Sequence, residues 1–296
     1  MNTETSFSEL LIDPLAQPSR PPSTTVLMAE PTYFDVEYVI NPHMAEHVGG
    51  VDRDRASRQW AALKDVYEGL GLVVEVLPAE PGLVDLVFIA NQSFPTQPIE
   101  GPPTAILSNM HAPQRRAEVP VVARWLEARG WRLVSIEDED THFEGMGDVN
   151  WHPGRRVVYG GFGWRTTRNA YSHRNYEVDA PVVALELVDT RMYHLDTCFS
   201  PLDEHTALIC AEAFTPQSLA LLEASFPRLL RAPLDEAVGL LSCNGHCPDQ
   251  RHFIVQRGAS RTNQLVREAG FEVVEVDTSE FLKSGGSVQC MKLMLD

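Results

Sequence analysis

In three places apolar residues recur at helical spacing, and each time a glycine and then a β-branched run follow. In RQWAALKDVYEGLGLVVEVLP, the residues Trp60, Leu63, Val66, Tyr67 and Leu70 share one helical face, and Gly71 precedes LVVEVL. VARWLEARGWRLVSIE repeats the pattern with Val122, Trp125 and Leu126, then Gly130. NQLVREAGFEVVEVD repeats it with Leu265, Val266 and Ala269, then Gly270. The spacing predicts amphipathic helices. The glycines suit the left-handed position just past a helix, and the Val-rich runs suit buried strands. Thr215 and Pro216 ahead of QSLALLEA predict a fourth helix start, a hydroxyl cap followed by a first-turn proline. Other strand-like runs are TTVLMA, VDLVFIA, TAILSN, RVVYGG, PVVALELVD, TALICA, VGLLSC and HFIVQR.

Gly71 and Gly130 stand about 60 residues apart, and Gly270 follows after about two steps of 70. The chain therefore reads as two to three strands and at most one helix per roughly 55–60 residues, repeated about five times. An ordinary α/β sheet whose helix ends look alike gives the same pattern. Residues 1–24, with PLAQPSRPPSTT, predict an extended or disordered arm.

Composition narrows the function. With 296 residues, the chain fits one large domain or two ordinary ones. Its 41 acidic and 24 basic side chains give a net charge of −17, which argues against nucleic acid and anionic lipid as partners and suits a cationic small substrate. Apolar runs fall short of a bilayer span, and MNTETSFSELL lacks the features of a secretory signal. Five cysteines, an odd and sparse set, predict reduced thiols and a cytoplasmic setting.

Several residues could carry chemistry. Cys290 follows two glycines in SGGSVQCMKLML and reads either as a thiolate nucleophile or as a buried structural cysteine. His194 and Asp196 in MYHLDTCF would share a face of a strand, as a proton shuttle beside an anion or as a satisfied core pair. Glu144 and Asp148 flank Gly-Met-Gly, where two carboxylates could converge on a planar cation such as guanidinium or simply flank a solvated turn. The neighbouring EDED, residues 137–140, reads as a solvated loop. Asn91 ends an apolar run and either points into a site or caps a turn. Arg115, Arg116 and Arg165 could hold a carboxylate or lie solvated. Cys243, His246 and Cys247 are spaced poorly for zinc and lack a second ligand pair, so no metal is expected.

Taken together, FDVEYVINPHM (34–44), ANQSFP (90–95), FEGMGD (143–148), GFGWRT (161–166), YHLDTCF (193–199) and KSGGSVQCMKL (283–293) resemble the guanidino-group-modifying superfamily of arginine deiminases, dimethylarginine dimethylaminohydrolases, amidinotransferases and arginine dihydrolases. The resemblance spans residues 25–296 and rests on the order Glu-Gly…Asp, His-x-Asp, Gly-Gly…Cys. It implies an α/β fold, the five-module pentein propeller of ββαβ repeats, as a single catalytic domain over 25–296 behind the 1–24 tail. It implies Cys290 as nucleophile, His194 as general acid and base, and Glu144 as the carboxylate orienting both histidine and guanidinium. Asp196 and, with some displacement, Asp148 would bind the guanidinium, and Arg165 with Arg115 or Arg116 the substrate carboxylate. Asn41 and Asn91 complete the implied substrate-binding set. No cofactor is implied, the partner is a small cationic amino acid, and a homo-oligomer fits.

Two departures concern the product. E-G-M-G-D is one residue longer than the usual E-G-G-D, and Asn91 stands where deiminases carry an acid. Its A-N pair is more similar to arginine dihydrolases, which release ornithine. The leading expectation is a hydrolase of arginine or N-methylated arginine giving citrulline or ornithine. An amidinotransferase, or a non-catalytic pentein binding or sensor protein, is the alternative. The segment 166–180 is a candidate lid.

Overall fold

The computed structural model describes residues 12–136, 138–173 and 176–295. Fourteen strands are found among them. They are β1 Thr25–Ala29, β2 Val73–Leu77, β3 Ser93–Pro95, β4 Thr104–Leu107, β5 Arg132–Ser135, β6 Val149–Trp151 and β7 Val158–Phe162. The second half holds β8 Val182–Glu186, β9 Phe199–Pro201, β10 Thr206–Ile209, β11 Arg228–Arg231, β12 His252–Gln256, β13 Glu272–Val276 and β14 Leu293–Leu295. Among the described residues they form five small sheets: β14-β1-β2, β3-β4-β5, β6-β7-β8, β9-β10-β11 and β12-β13. In each three-stranded sheet the middle strand pairs antiparallel with one neighbour and parallel with the other. In the fifth, an antiparallel bridge of His246 to Ile254 takes the third place.

A parallel pair needs a crossover; α-helices supply it in four sheets, and among the described residues the β7–β8 crossover holds only the 3₁₀ turn Arg168–Ser172. Helix α1, Arg53–Gly69, joins β1 to β2, and α2, Val119–Glu127, joins β4 to β5. Past these helices Gly71 and Gly130 take φ of +86° and +80°. The short α3, Gly145–Asp148, precedes β6, and α4, Pro216–Ser225, joins β10 to β11. As the hydroxyl predicts, Thr215 caps α4 by accepting the Ser218 N–H. After α5, Leu234–Gly239, helix α6, Ser260–Glu268, links β12 to β13 and is followed by Gly270 at φ +103°. A last turn, α7 Ser279–Leu282, leads to β14, which returns the C-terminal end of the chain to β1. The protein is α/β throughout.

Two strand expectations fail. VDLVFIA is buried from Val84 to Ala90 yet folds as successive turns closed by Phe88 N–H to Asp85 O and Asn91 N–H to Phe88 O. VGLLSC begins in α5 and breaks at Leu241, φ +46°. Uniform burial removes alternation as a guide, so an apolar run alone does not specify a strand. Of the arm, residues 1–11 lie outside the described residues. Beyond them the proline-rich stretch opens with a 3₁₀ turn, Pro14–Ala16, and is then pinned by Arg20 N–H donating to Gly154 O and Arg156 N–H to Pro18 O. In the candidate lid, Arg174 and Asn175 lie outside the described residues. Tyr171 and Tyr176 are buried, and the Tyr171 hydroxyl donates to Gly161 O. These aromatics tie the segment to the core.

Apolar side chains divide into two clusters. One gathers around β1, α1, α2 and β14 and includes Cys290. The other gathers around β7 to β10 and includes Leu195. The segment His194–Asp196 meets Cys290 where they adjoin.

Candidate active site

Cys290 lies in the turn between α7 and β14. Asn244, between α5 and β12, fixes that turn. Its Oδ1 accepts the N–H of Ser287 at 3.0 Å and of Cys290 at 3.4 Å. Its Nδ2 donates to Asp196 O at 2.9 Å and to Cys290 Sγ at 3.2 Å. The thiol in turn donates to Asp196 Oδ2 at 3.1 Å. Burial, and then the neighbouring Asp196, push the Cys290 thiol well above its ordinary range. Burial likewise pushes Asp196 up to about 7, against the opposing pull of Cys290 and Asn244. The resting pair is therefore a thiol on a carboxyl group that shares its proton near neutrality.

Glu144 is fully buried and holds three groups. Its Oε2 lies 2.7 Å from His194 Nε2 and 3.3 Å from Arg165 Nη1, and its Oε1 accepts the His111 N–H at 3.1 Å. Burial alone would raise this carboxyl, but Arg165 and His194 more than offset it and hold Glu144 well below the usual range. An ionised Glu144 takes the proton of His194 Nε2 as donor, which leaves Nδ1 free to exchange one. Arg165 also donates to Ile40 O at 2.7 Å and lies 4.9 Å from the Tyr193 ring centroid. The Thr166 hydroxyl accepts the Glu144 N–H at 3.0 Å, so the G-W-R-T segment positions both Arg165 and Glu144.

One small cavity collects much of the predicted set: Asn41, Asp85, Asn91, Arg115, Arg165 and Cys290 all line it. Asn91 Oδ1 accepts from Arg115 Nη1 at 2.7 Å, and its Nδ2 has no hydrogen-bond partner among the described residues. Asn41 donates to Ser284 O at 3.0 Å in the cysteine turn. Arg115 is buried against Glu118 at 2.8 Å and donates to Asp85 O and Phe88 O.

Two expectations are corrected, for Arg116 and for the strand geometry of His194 and Asp196, and Asp148 takes a backbone contact. Arg116 is exposed, with Nε on Met110 O at 3.1 Å, and does not line the cavity. Asp148 is buried beside His194 and Glu144, and its Oδ1 accepts the Leu195 N–H at 3.0 Å, which positions the His-x-Asp segment. Burial pushes its carboxyl up to about 6. His194 and Asp196 are not alternate residues of a strand, because Leu195–Thr197 is a 3₁₀ turn. That turn sends the imidazole to Glu144 and the carboxyl to Cys290. Of the acidic loop, Glu137 lies outside the described residues.

Sequence reasoning missed Asp85 and Asn244. Asp85 accepts the Tyr38 hydroxyl at 2.8 Å and the Ser284 hydroxyl at 2.9 Å, and its only sequence signal is a carboxylate inside an apolar run. Asn244 sat within the cysteine–histidine stretch weighed for zinc. Among the described residues no group of three His, Cys, Asp or Glu side chains is placed to hold a metal. No helix among them is long and apolar enough to cross a membrane.

A family model described as "N,N dimethylarginine dimethylhydrolase, eukaryotic" matches residues 39–221. The bifunctional arginine dihydrolase/ornithine cyclodeaminase ArgZ of Synechocystis is 33% identical over 270 residues, 90% of this chain and 37% of ArgZ. This chain thus spans little more than a third of that relative. The N(G),N(G)-dimethylarginine dimethylaminohydrolase of Mycobacterium tuberculosis is 35% identical over 283 residues, 94% of this chain and 89% of that protein. Among solved structures, the N-terminal domain of ArgZ covalently bound to a reaction intermediate superposes with a TM-score of 0.83 at 30% identity, over 92% of this chain and 97% of that one. The matched stretch and the full-length identity agree that this chain belongs to the N,N-dimethylarginine dimethylhydrolase family.

Proposed function

We propose that this protein is a cysteine-dependent hydrolase of guanidino C–N bonds, acting on arginine or an N-methylated arginine within one domain over residues 25–296. The observation that carries the reading is the convergence of the Cys290–Asp196 pair and the His194–Glu144–Arg165 cluster where the two cores adjoin. Five sheets of one connectivity, with β14 returning to β1, support a closed five-module pentein propeller around it.

In this reading the resting thiol is activated by its substrate. A guanidinium beside Asp196 and Cys290 favours carboxylate and thiolate in place of the protonated pair. The thiol gives its proton to His194, Sγ attacks the guanidinium carbon, and His194 delivers that proton to the departing nitrogen, which leaves as neutral ammonia or amine. His194 next takes a proton from water, and the hydroxide attacks the thiouronium-type adduct. Collapse expels the Cys290 thiolate and leaves a ureido group. Holding the guanidinium carbon against the sulfur supplies much of the acceleration. The covalent intermediate in the ArgZ domain supports this chemistry.

Asn91 favours a second hydrolysis. Its unpartnered amide nitrogen can donate to a ureido oxygen, whereas an acid at this position would clamp guanidinium alone. Arginine and two waters would then give ornithine, carbon dioxide and two ammonia. Mass spectrometry of products from arginine, monomethylarginine and dimethylarginine tests the proposal. Ornithine from arginine is the expected result; citrulline alone would restrict the protein to one hydrolysis, and no turnover of any of the three would overturn the hydrolase reading.

A further inference from the structure

A second cavity, of about 100 Å³, shares no lining residue with the first. One water needs roughly 10–15 Å³ on such a scale, so the space suits a ligand of several heavy atoms. In a chain with a net charge of −17, no aspartate or glutamate among the described residues lines it. It contains Lys292 and Arg20 instead, with His246, Asn150 and Gln289.

Lys292 is only 1% exposed. A buried ammonium is costly unless a counter-charge offsets it; Lys292 makes no ion pair among the described residues, and the carboxylate that favours its charge, Asp196, does not line this cavity. Asn150, 5% exposed, has a second unspent donor: Nδ2 has no partner among the described residues, while Oδ1 accepts from Gln289 Nε2 at 3.2 Å. Half-buried Arg20 lies nearer solvent, its guanidinium carbon 4.8 Å from the Trp151 ring centroid and its Nη2 donating to the Ser23 hydroxyl. A buried ammonium and an unspent amide N–H, lining a cavity where the described residues place no carboxylate, make a site for negative charge.

We propose that this cavity binds a small oxyanion, held by Lys292 and Asn150 in its depth and by Arg20 nearer solvent. The cavity is distinct from the one that contains Cys290, so the inference stands whether or not the hydrolase reading does. Burial pushes Lys292 down to about 7, against the pull of Asp196 and Cys290, so binding strengthens below neutrality.

Isothermal titration of the full chain with inorganic phosphate, at constant ionic strength and about pH 6, tests this. One saturable site is expected. Lys292→Met should weaken it at least tenfold and Arg20→Gln at least threefold, while Arg165→Gln leaves it unchanged. Absence of saturable binding overturns the proposal. So does binding lost in Arg165→Gln but kept in Lys292→Met, which would put phosphate in the first cavity. If Lys292→Met fails to fold, Arg20→Gln decides: undiminished binding in that variant overturns the site.

Discussion

The carboxyl of Asp196 raises the proton affinity of the Cys290 thiol, while the thiol's hydrogen bond lowers that of Asp196, and that coupling is measurable apart from turnover. In Asp196→Asn the anion beside the sulfur is gone, so alkylation of the free protein by iodoacetamide at pH 7–8 should speed up severalfold. Turnover should fall by about 100-fold, the loss of one charge-assisted contact of about 3 kcal/mol. A fall in both rates would show that Asp196 does not restrain the thiol. Cys290→Ser should abolish turnover with the circular dichroism spectrum unchanged, and near-normal activity would remove Cys290 from the mechanism. At Asn91 the contrast is amide against acid. Asn91→Asp should shift the products of arginine toward citrulline, and an unchanged product ratio would show that Asn91 does not set the outcome.

At the scale of elements, the one-turn helix α3 carries a constraint that the residue types alone do not reveal. A Cβ on Gly147 would stand 2.1 Å from Asn91 Nδ2 and 3.4 Å from His194 Cγ. Gly145 takes φ +51°, and a Cβ there would meet Ser93 O at 2.5 Å. The glycines thus permit close approach of α3 to the residues before and within β3, which brings Glu144 to His194. Gly147→Ala should cost about 1–3 kcal/mol by overpacking and lower activity at least tenfold by displacing Asn91. Denaturant titration and steady-state rates check it, and wild-type values in both would show that the contact relaxes freely. The 3₁₀ turn after His194 is the other decisive element. Sequence pattern suggested a strand there because His-x-Asp alternates, but the Leu195 N–H is taken by Asp148 rather than by a ladder.

Across the whole molecule, burial of ionisable groups shapes the dependence of stability on pH. Asp148 at about 6 and Asp196 at about 7 bind protons more tightly in the folded state than in the unfolded chain. Stability from these groups is therefore full below the unfolded carboxyl range, near pH 4, and is lost as pH rises toward 7. Lys292, at about 7 when folded, has the opposite sign: above pH 7 the unfolded chain binds more protons, so stability recovers toward its unfolded range near 10.5. Denaturation midpoints should fall from about pH 5 to about pH 7.5, and Asp196→Asn should flatten the fall, with up to about 4 kcal/mol at stake for a shift of about 3 pKa units. An equal slope in that variant would show that Asp196 ionises freely when folded. The sequence by itself determined what short-range physics encodes: the helix faces over 53–69, 119–127 and 260–268, the glycines that end them, the cap at Thr215, and the order of acid, histidine and cysteine. Only the tertiary structure decided which of those groups touch. His194 meets Glu144 across 50 residues and Cys290 meets Asp196 across 94, while Asn244 and Asp85 join them and Arg116 does not. Capping and periodicity act within a few turns of chain. Contacts between distant segments depend on how sheets and turns pack, and no local pattern carries that.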